Sequence, residues 1–331
     1  MNLLNTPLLA ATFTLLAWSA EGRSFTNLAG VKIEAEIVSK QGDQVRIKRA
    51  DGREFTLQVN SLSPADQDYI KTWQPPAAPA PVKPGAPAAP VPVSADPRVK
   101  PGAVVALEFP DLAKDRLGNT ATCNVRIPED YDPAKPVPLL VWLGGGDGTN
   151  QPGGGFALVD KAHWAVAALP YPTGTTPQGK TLDDQKNFTV IFNYQKTMLE
   201  ELVKLLPNLD PKIRVVAGFS NGAHTIGTNI MRGEKEFTEL FNAYILIEGG
   251  CNAPKAKKKL RGKYAYLAWD DPRSTPFMLQ GAAGAAKAAG MTATEHRMPN
   301  SGHAFPDTEK ALVKEWIEKT VIPGLNAPPK K

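Results

Sequence analysis

Cysteine is nearly missing: the 331 residues hold two, Cys123 and Cys251. A framework of several disulfides is thereby excluded. Apolar runs long enough to span a bilayer are missing too. The run from Leu8 to Trp18 is too short, so no stable membrane insertion is expected. No basic stripe is interleaved with aromatics, and the net charge of +5 is mild for this length, so nucleic acid is not an expected partner. No phosphate loop and no cluster of metal-ligating residue types occurs, so neither cofactor nor metal is expected.

Proline, by contrast, is frequent and clustered. Between Gln74 and Val104 a Pro/Ala tract opens with Pro75-Pro76-Ala77-Ala78-Pro79-Ala80-Pro81 and carries almost no bulk to bury. Such a tract is a semi-rigid spacer extending about 3 Å per residue. It divides the chain into a small unit at 24–74, a linker at 75–101, a large unit at 102–325 and a frayed tail at 326–331. Ahead of them, the apolar run ends in Ala17-Trp18-Ser19, with small residues where a signal peptidase reads. Residues 1–19 are therefore expected to be a cleaved export signal, though its positive n-region is absent. The mature protein is expected to be soluble in the periplasm or outside the cell. No cysteine near the cleavage site offers a lipid anchor.

In the small unit, Val31 to Val38 and Asp43 to Lys48 alternate apolar and polar with period two, as half-buried strands do. Asp51-Gly52 is a hairpin signal, and Phe55 to Val59 forms a further strand. Ser63 and Pro64 then read as N-cap and first residue of a short helix. Ile33-Glu34-Ala35-Glu36, Val45 to Arg53 and Leu62 to Ile70 together resemble the SLA1 homology domain 1, an SH3-like module. The resemblance implies a module that binds or tethers a peptide or polymer. A passive stabilising appendage is the alternative.

The large unit alternates strand and helix patterns. Pro138 to Leu143, Trp164 to Leu169, Ile213 to Ala217, Tyr244 to Ile247, Tyr264 to Ala268 and Glu295 to Met298 read as strands. Phe192 to Leu206, the segment from Gly222, and Thr308 to Thr320 read as helices. Such βα alternation predicts an α/β fold with a mostly parallel sheet covered on both faces.

Between one such strand and helix lies Gly218-Phe219-Ser220-Asn221-Gly222, a G-x-S-x-G pattern. A serine on a sharp turn there projects its oxygen above the sheet as a nucleophile; an ordinary turn serine is the alternative. It needs a base, and the base an orienting acid. His303, in the loop between the last strand and last helix, is the preferred base. His224 reads as a local hydrogen-bonding residue, His163 as packing, and His296 as part of the last strand. Asp271, just after the penultimate strand, is the preferred acid, with Asp270 and Glu248 as alternatives. Backbone N–H groups of Gly144, Gly145 and Asn221 are the candidate oxyanion donors. The basic run Lys255 to Arg261 is either a solvated loop or a contact for an acidic polymer.

These residues resemble the α/β-hydrolase family from Val104 to about Ile322. Ile127 to Asp132, Pro136 to Val141 and Ser301 to Phe305 resemble secreted feruloyl and acetyl-xylan esterases and polyhydroxybutyrate depolymerase-like enzymes. That implies a metal-independent serine esterase acting through a Ser-His-Asp acyl-enzyme, with acyl esters on polysaccharide as substrate. Relatives usually place histidine before the glycines, where this chain has Leu143. The family's strand order also implies that Cys123 and Cys251 stay free thiols. The alternatives are a peptidase or lipase on the same residues, or a hydrolase-fold binding protein without turnover.

Overall fold

The computed structural model describes residues 23–28, 30–49, 53–73 and 94–327. The expected export signal, most of the linker, the Asp51-Gly52 turn and residues 328–331 of the expected tail lie outside them. Contacts divide the chain into two units, between Pro87 and Ala88.

In the first unit, β1 (Arg23–Thr26), β2 (Lys32–Gln41), β3 (Gln44–Lys48) and β4 (Glu54–Gln58) form an antiparallel sheet in that order. The period-two pattern turns Ala35, Val45 and Ile47 inward, where they meet Phe25, Leu62 and Ile70. Helix α1 (Pro64–Thr72) begins as its sequence predicts, with Ser63 Oγ accepting from Asp66 N at 3.3 Å. β1 is too short to show a period; it is fixed by Asp66, which accepts from Thr26 N at 2.9 Å and from the Arg23 guanidinium. Burial pushes the Asp66 carboxyl up, but those bonds and the Ser63 hydroxyl hold it below its ordinary value.

The second unit is built on eight strands: β5 (Val104–Phe109), β6 (Ala121–Arg126), β7 (Val137–Leu143), β8 (Ala165–Ala168), β9 (Leu209–Phe219), β10 (Ala243–Ile247), β11 (Tyr264–Trp269) and β12 (Thr292–Arg297). Their order across the sheet is β12-β11-β10-β9-β7-β8-β6-β5. Only β6 runs against the rest, pairing antiparallel with both β5 and β8. This crossed order, with one reversed strand, is the α/β-hydrolase fold.

Both sheet faces are covered, which is why the central strands read as continuous apolar runs. On β7, Leu139, Val141 and Leu143 join one core, while Leu140 and Trp142 join the other. The first core includes α2 (Gln185–Leu205), α3 (Asn221–Arg232), the short α4 (Lys235–Leu240) and α5 (Ala283–Ala289). The second is closed by α6 (Asp307–Trp316), through Val313 and Trp316. On α2, Ile191, Tyr194, Met198, Leu202 and Leu205 recur at three- and four-residue spacing and are all buried. No helix among the described residues is long and apolar enough to cross a membrane.

The register sets where chemistry can gather. Leu143 pairs with Gly218, Phe219 with Ile247, and Ile247 with Ala268. The carboxyl ends of β7, β9, β10 and β11 therefore stop nearly level. The residues just beyond them, Gly144, Ser220, Glu248 and Asp270, form a row along one sheet edge, where open α/β sheets place their ligands. Cys123 lies on β6 and Cys251 beyond β10, with β8, β7 and β9 between those strands. Both are free and buried, and burial pushes both thiols up to about 12.

Candidate active site

The turn from β9 into α3 holds Ser220 at φ 54°, ψ −112°. A serine at positive φ is strained by roughly 1–3 kcal/mol, and such strain persists where the surroundings over-determine it. They do so here. Ser220 N donates to Ile247 O at 2.8 Å, and Ser220 O accepts from His224 N at 3.0 Å. A Cβ on Gly222 would stand 2.1 Å from Leu143 O, and one on Gly218 2.4 Å from Gly222 C. Both glycines are thus required by close backbone approach, at the positions the motif marks.

His303 Nε2 lies 2.9 Å from Ser220 Oγ. Three contacts hold the loop that carries it. Asp270 Oδ2 accepts from Gly302 N at 3.0 Å, Phe305 stacks on Trp142, and the Phe219 ring packs 5.2 Å from the imidazole. The loop bends through two left-handed residues, Asn300 and Gly302. Asp270, one of the candidate acids, is thus turned to the loop backbone and to Arg297, which it meets at 3.2 Å.

The other two candidate acids both face His303 Nδ1, Asp271 Oδ2 at 3.5 Å and Glu248 Oε2 at 3.7 Å. Glu248 is fully buried and itself left-handed at φ 53°. Its Oε1 accepts from Asp270 N at 2.5 Å and Asp271 N at 3.3 Å, whereas Oε2 is buried without a hydrogen-bond partner among the described residues. Burial pushes this carboxyl up, against the pull of the Asp270 amide, the Ser274 hydroxyl, the Asp271 amide and His303. Asp271 is also buried, but Arg273 takes both of its oxygens: Nε at 3.1 and 2.9 Å, Nη2 at 2.5 Å. Arg273 holds the Asp271 carboxyl down at about 2.

The glycine loop after β7 lies across the serine. A Cβ on Gly145 would come within 3.2 Å of Ser220 Cβ. Tyr171 Oη donates to Gly144 O at 2.9 Å, and Asn221 Nδ2 donates to Gly146 O at 2.7 Å, so the loop is tied on both sides. Asn221 opens α3, whose first-turn amides have no acceptor within the helix. Of the three residues expected to supply oxyanion amides, Gly145 thus lies against Ser220, and Asn221 follows it at the positive end of a helix.

A cavity of about 460 Å³ opens on these groups, walled by Gln178–Thr181, His224, Ser274 and Phe277. An apolar groove of about 320 Å³ between α2 and α4 shares no residue with it. His224 is a wall residue. Its Nδ1 meets the Gly250 backbone at 2.8 and 3.1 Å, the local role its sequence suggested, and burial pushes its pKa down. His163 does not pack, contrary to expectation. Its side chain is exposed and meets Asp130 at 2.6 Å. His296 meets Glu309 at 2.7 Å, away from the cavity. Arg273, Ser274 and Phe277 were not singled out from the sequence. The one signal was local: Arg273 N closes a turn on Asp271 Oδ1 at 2.8 Å, an Asx turn that Asp-Pro-Arg favours.

No family model matches this chain, and no curated protein matches it. Among solved structures it is similar to a thermostable esterase at 20% identity and TM-score 0.45, over 67% of this chain and 62% of that one. The chain thus spans about three fifths of that esterase's length. It is similar to a Bacillus cereus carboxylesterase at 18% identity and TM-score 0.40, covering 66% of this chain and 93% of the other. A third, an S-formylglutathione hydrolase from Agrobacterium tumefaciens, stands at 11% and 0.42, covering 68% and 95%.

Proposed function

We propose that this protein is a serine hydrolase of carboxylic esters. The observation that carries the reading is the 2.9 Å approach of His303 Nε2 to Ser220 Oγ on a strained turn. Ser220 attacks the ester carbonyl while His303 takes its proton. Amides of Gly145, Asn221 and Gly144 hold the oxyanion, each donor contributing about 3 kcal/mol. His303 then passes the proton to the departing alcohol, and water cleaves the acyl-enzyme with His303 again as base.

Glu248 is the acid we assign to His303, because its Oε2 is buried facing the imidazole with no hydrogen-bond partner among the described residues, and its strained backbone is held by neighbouring strands. Asp271, at the end of β11 and 0.2 Å nearer, is the second reading. Hydrolysis of p-nitrophenyl acetate and longer acyl esters, beside Ser220→Ala, tests the proposal. Turnover that survives the substitution overturns it. Fluorophosphonate labelling separates it from a non-catalytic binding protein, since only an activated serine reacts.

The finer reading rests on the resemblances in the sequence: an exported esterase of the feruloyl/acetyl-xylan or depolymerase-like kind, acting on acylated polysaccharide. In it the small unit, as an SLA1 homology domain 1-like module, tethers the enzyme across the Pro-rich linker. A mature N-terminus that does not follow Ser19 after expression in a secreting host would sink the export reading. Equal retention on insoluble polysaccharide with and without residues 24–74 would sink the tether.

A further inference from the structure

We infer that this cavity selects esters that carry a negative charge, a carboxylate on the acyl or the leaving side, gripped by Arg273 and Lys180. The inference deepens the ester-hydrolase reading and rests on it.

The charges around the cavity are sorted by depth. Four charged side chains line it: Lys180, Arg273, Glu248 and Asp271. Both carboxylates belong to the floor, with side-chain exposures of 0% for Glu248 and 7% for Asp271. Both cations belong to the mouth: Lys180 is exposed, and the Arg273 side chain is 82% exposed. The floor charges are already answered, Asp271 by Arg273 and Glu248 by two amides and the facing imidazole. A ligand arriving from solvent therefore meets positive charge first.

Arg273 also keeps a free edge. Its Nε and Nη2 are spent on Asp271, while Nη1 has no partner among the described residues. A planar guanidinium fixed along one edge is preorganised to present the other to a carboxylate. Lys180 has no carboxylate partner among the described residues either. The turn that carries it, Gly179–Asp183, is pinned by Asn252, which donates to Gly179 O at 3.3 Å and to Asp183 Oδ2 at 2.7 Å. Phe277 packs against Gly179 from the other wall. The sign continues beyond that turn. Asp183 borders a second cavity of about 420 Å³ lined by Arg232, Lys255 and Lys257, where its carboxylate is already bonded to Asn252.

The test is the rate at which Ser220 is labelled by neutral phosphonate diesters with a phenol leaving group. In each, the serine oxygen bonds to phosphorus, the phenolate departs and the serine proton passes to His303. Two matched pairs place a carboxylate or a carboxamide on the alkyl chain or on the phenol, with rates corrected for reaction with hydroxide. The carboxylate member of at least one pair should label about tenfold faster or more at low salt, and the advantage should shrink at high salt. That ratio should fall in Arg273→Gln and in Lys180→Gln, and should fall less in Arg273→Lys, which keeps the charge but loses the preorganised second edge. Lys180→Gln alters an exposed side chain, so it reports even where Arg273→Gln disturbs folding. No preference for either carboxylate, or one that survives both Gln substitutions, overturns the inference while the hydrolase reading stands. A folded protein that no member labels overturns the hydrolase reading, and this inference with it.

Discussion

β10 and β11 each deliver a carboxylate to the same imidazole nitrogen, at 3.7 Å from Glu248 and 3.5 Å from Asp271. Distance hardly separates them; surroundings do. Glu248 sits at positive φ, fully buried, one oxygen held by backbone amides and the other facing the imidazole with no hydrogen-bond partner among the described residues. Asp271 follows β11 in a loop, with both oxygens taken by an arginine that is itself mostly in solvent. A carboxylate that must answer a charge appearing on His303 needs a free lone pair in a fixed, dry place. One already neutralised gains less from that charge.

The contrast is broken or sharpened first by Glu248→Gln beside Asp271→Asn. Removing the acid's charge should lower kcat/KM for p-nitrophenyl acetate by roughly 10³–10⁴-fold, as loss of a triad carboxylate does. Asp271→Asn should cost no more than about tenfold. Reversed magnitudes would exchange the two roles. Next in size is Gly249→Ala. Its Cβ would stand 2.5 Å from Ser220 O, so it should lower stability by about 2 kcal/mol or more, read by denaturant titration. Pro272→Ala, in the loop after β11, should cost well under that.

The smallest effects are in pH dependence, where the two acids have opposite signs. Asp271 is depressed to about 2, so it stabilises the fold fully above its ordinary value near 3.8 and loses this as pH falls towards 2. Its partner is solvated, so the contribution is ~1 kcal/mol or less. The difference in Tm between the protein and Asp271→Asn should close across that window. Glu248 is raised by burial, so ionising it in the fold costs stability as pH climbs through the ordinary carboxylate range. Glu248→Gln should therefore gain Tm relative to the parent as pH rises from 4 to neutrality, while losing activity throughout.

What could be read in advance divides along the same line. The elbow was legible because its demands are local: a β-branched strand, glycines where backbones touch, and helix-forming sequence after. That His303 comes to Ser220 was legible from chain order. The central strands were legible because burial on both faces leaves continuous apolar runs, as in Val137–Leu143. β5 and β6 were not, because Ala121–Arg126 mixes Thr, Cys and Asn into a strand completed only by its neighbours. The choice among three carboxylates was illegible for a similar reason. Asp270 is turned away by Gly302 and Arg297, and Asp271 is occupied by Arg273. Neither fact exists before the chain folds.

The way the site is fastened has a thermal consequence. Ser220 and Glu248 form one block, since Ser220 N is bonded to Ile247 O and Glu248 N to Ala268 O, across adjacent strands. His303 instead rides on a loop moored by Asp270, Trp142 and Phe219. Heating will part these two pieces before it melts the sheet. The proposed ester hydrolysis should then fade reversibly several degrees below global unfolding, and the Gly302 amide should begin to exchange with solvent deuterium while those of β9 and β10 stay protected.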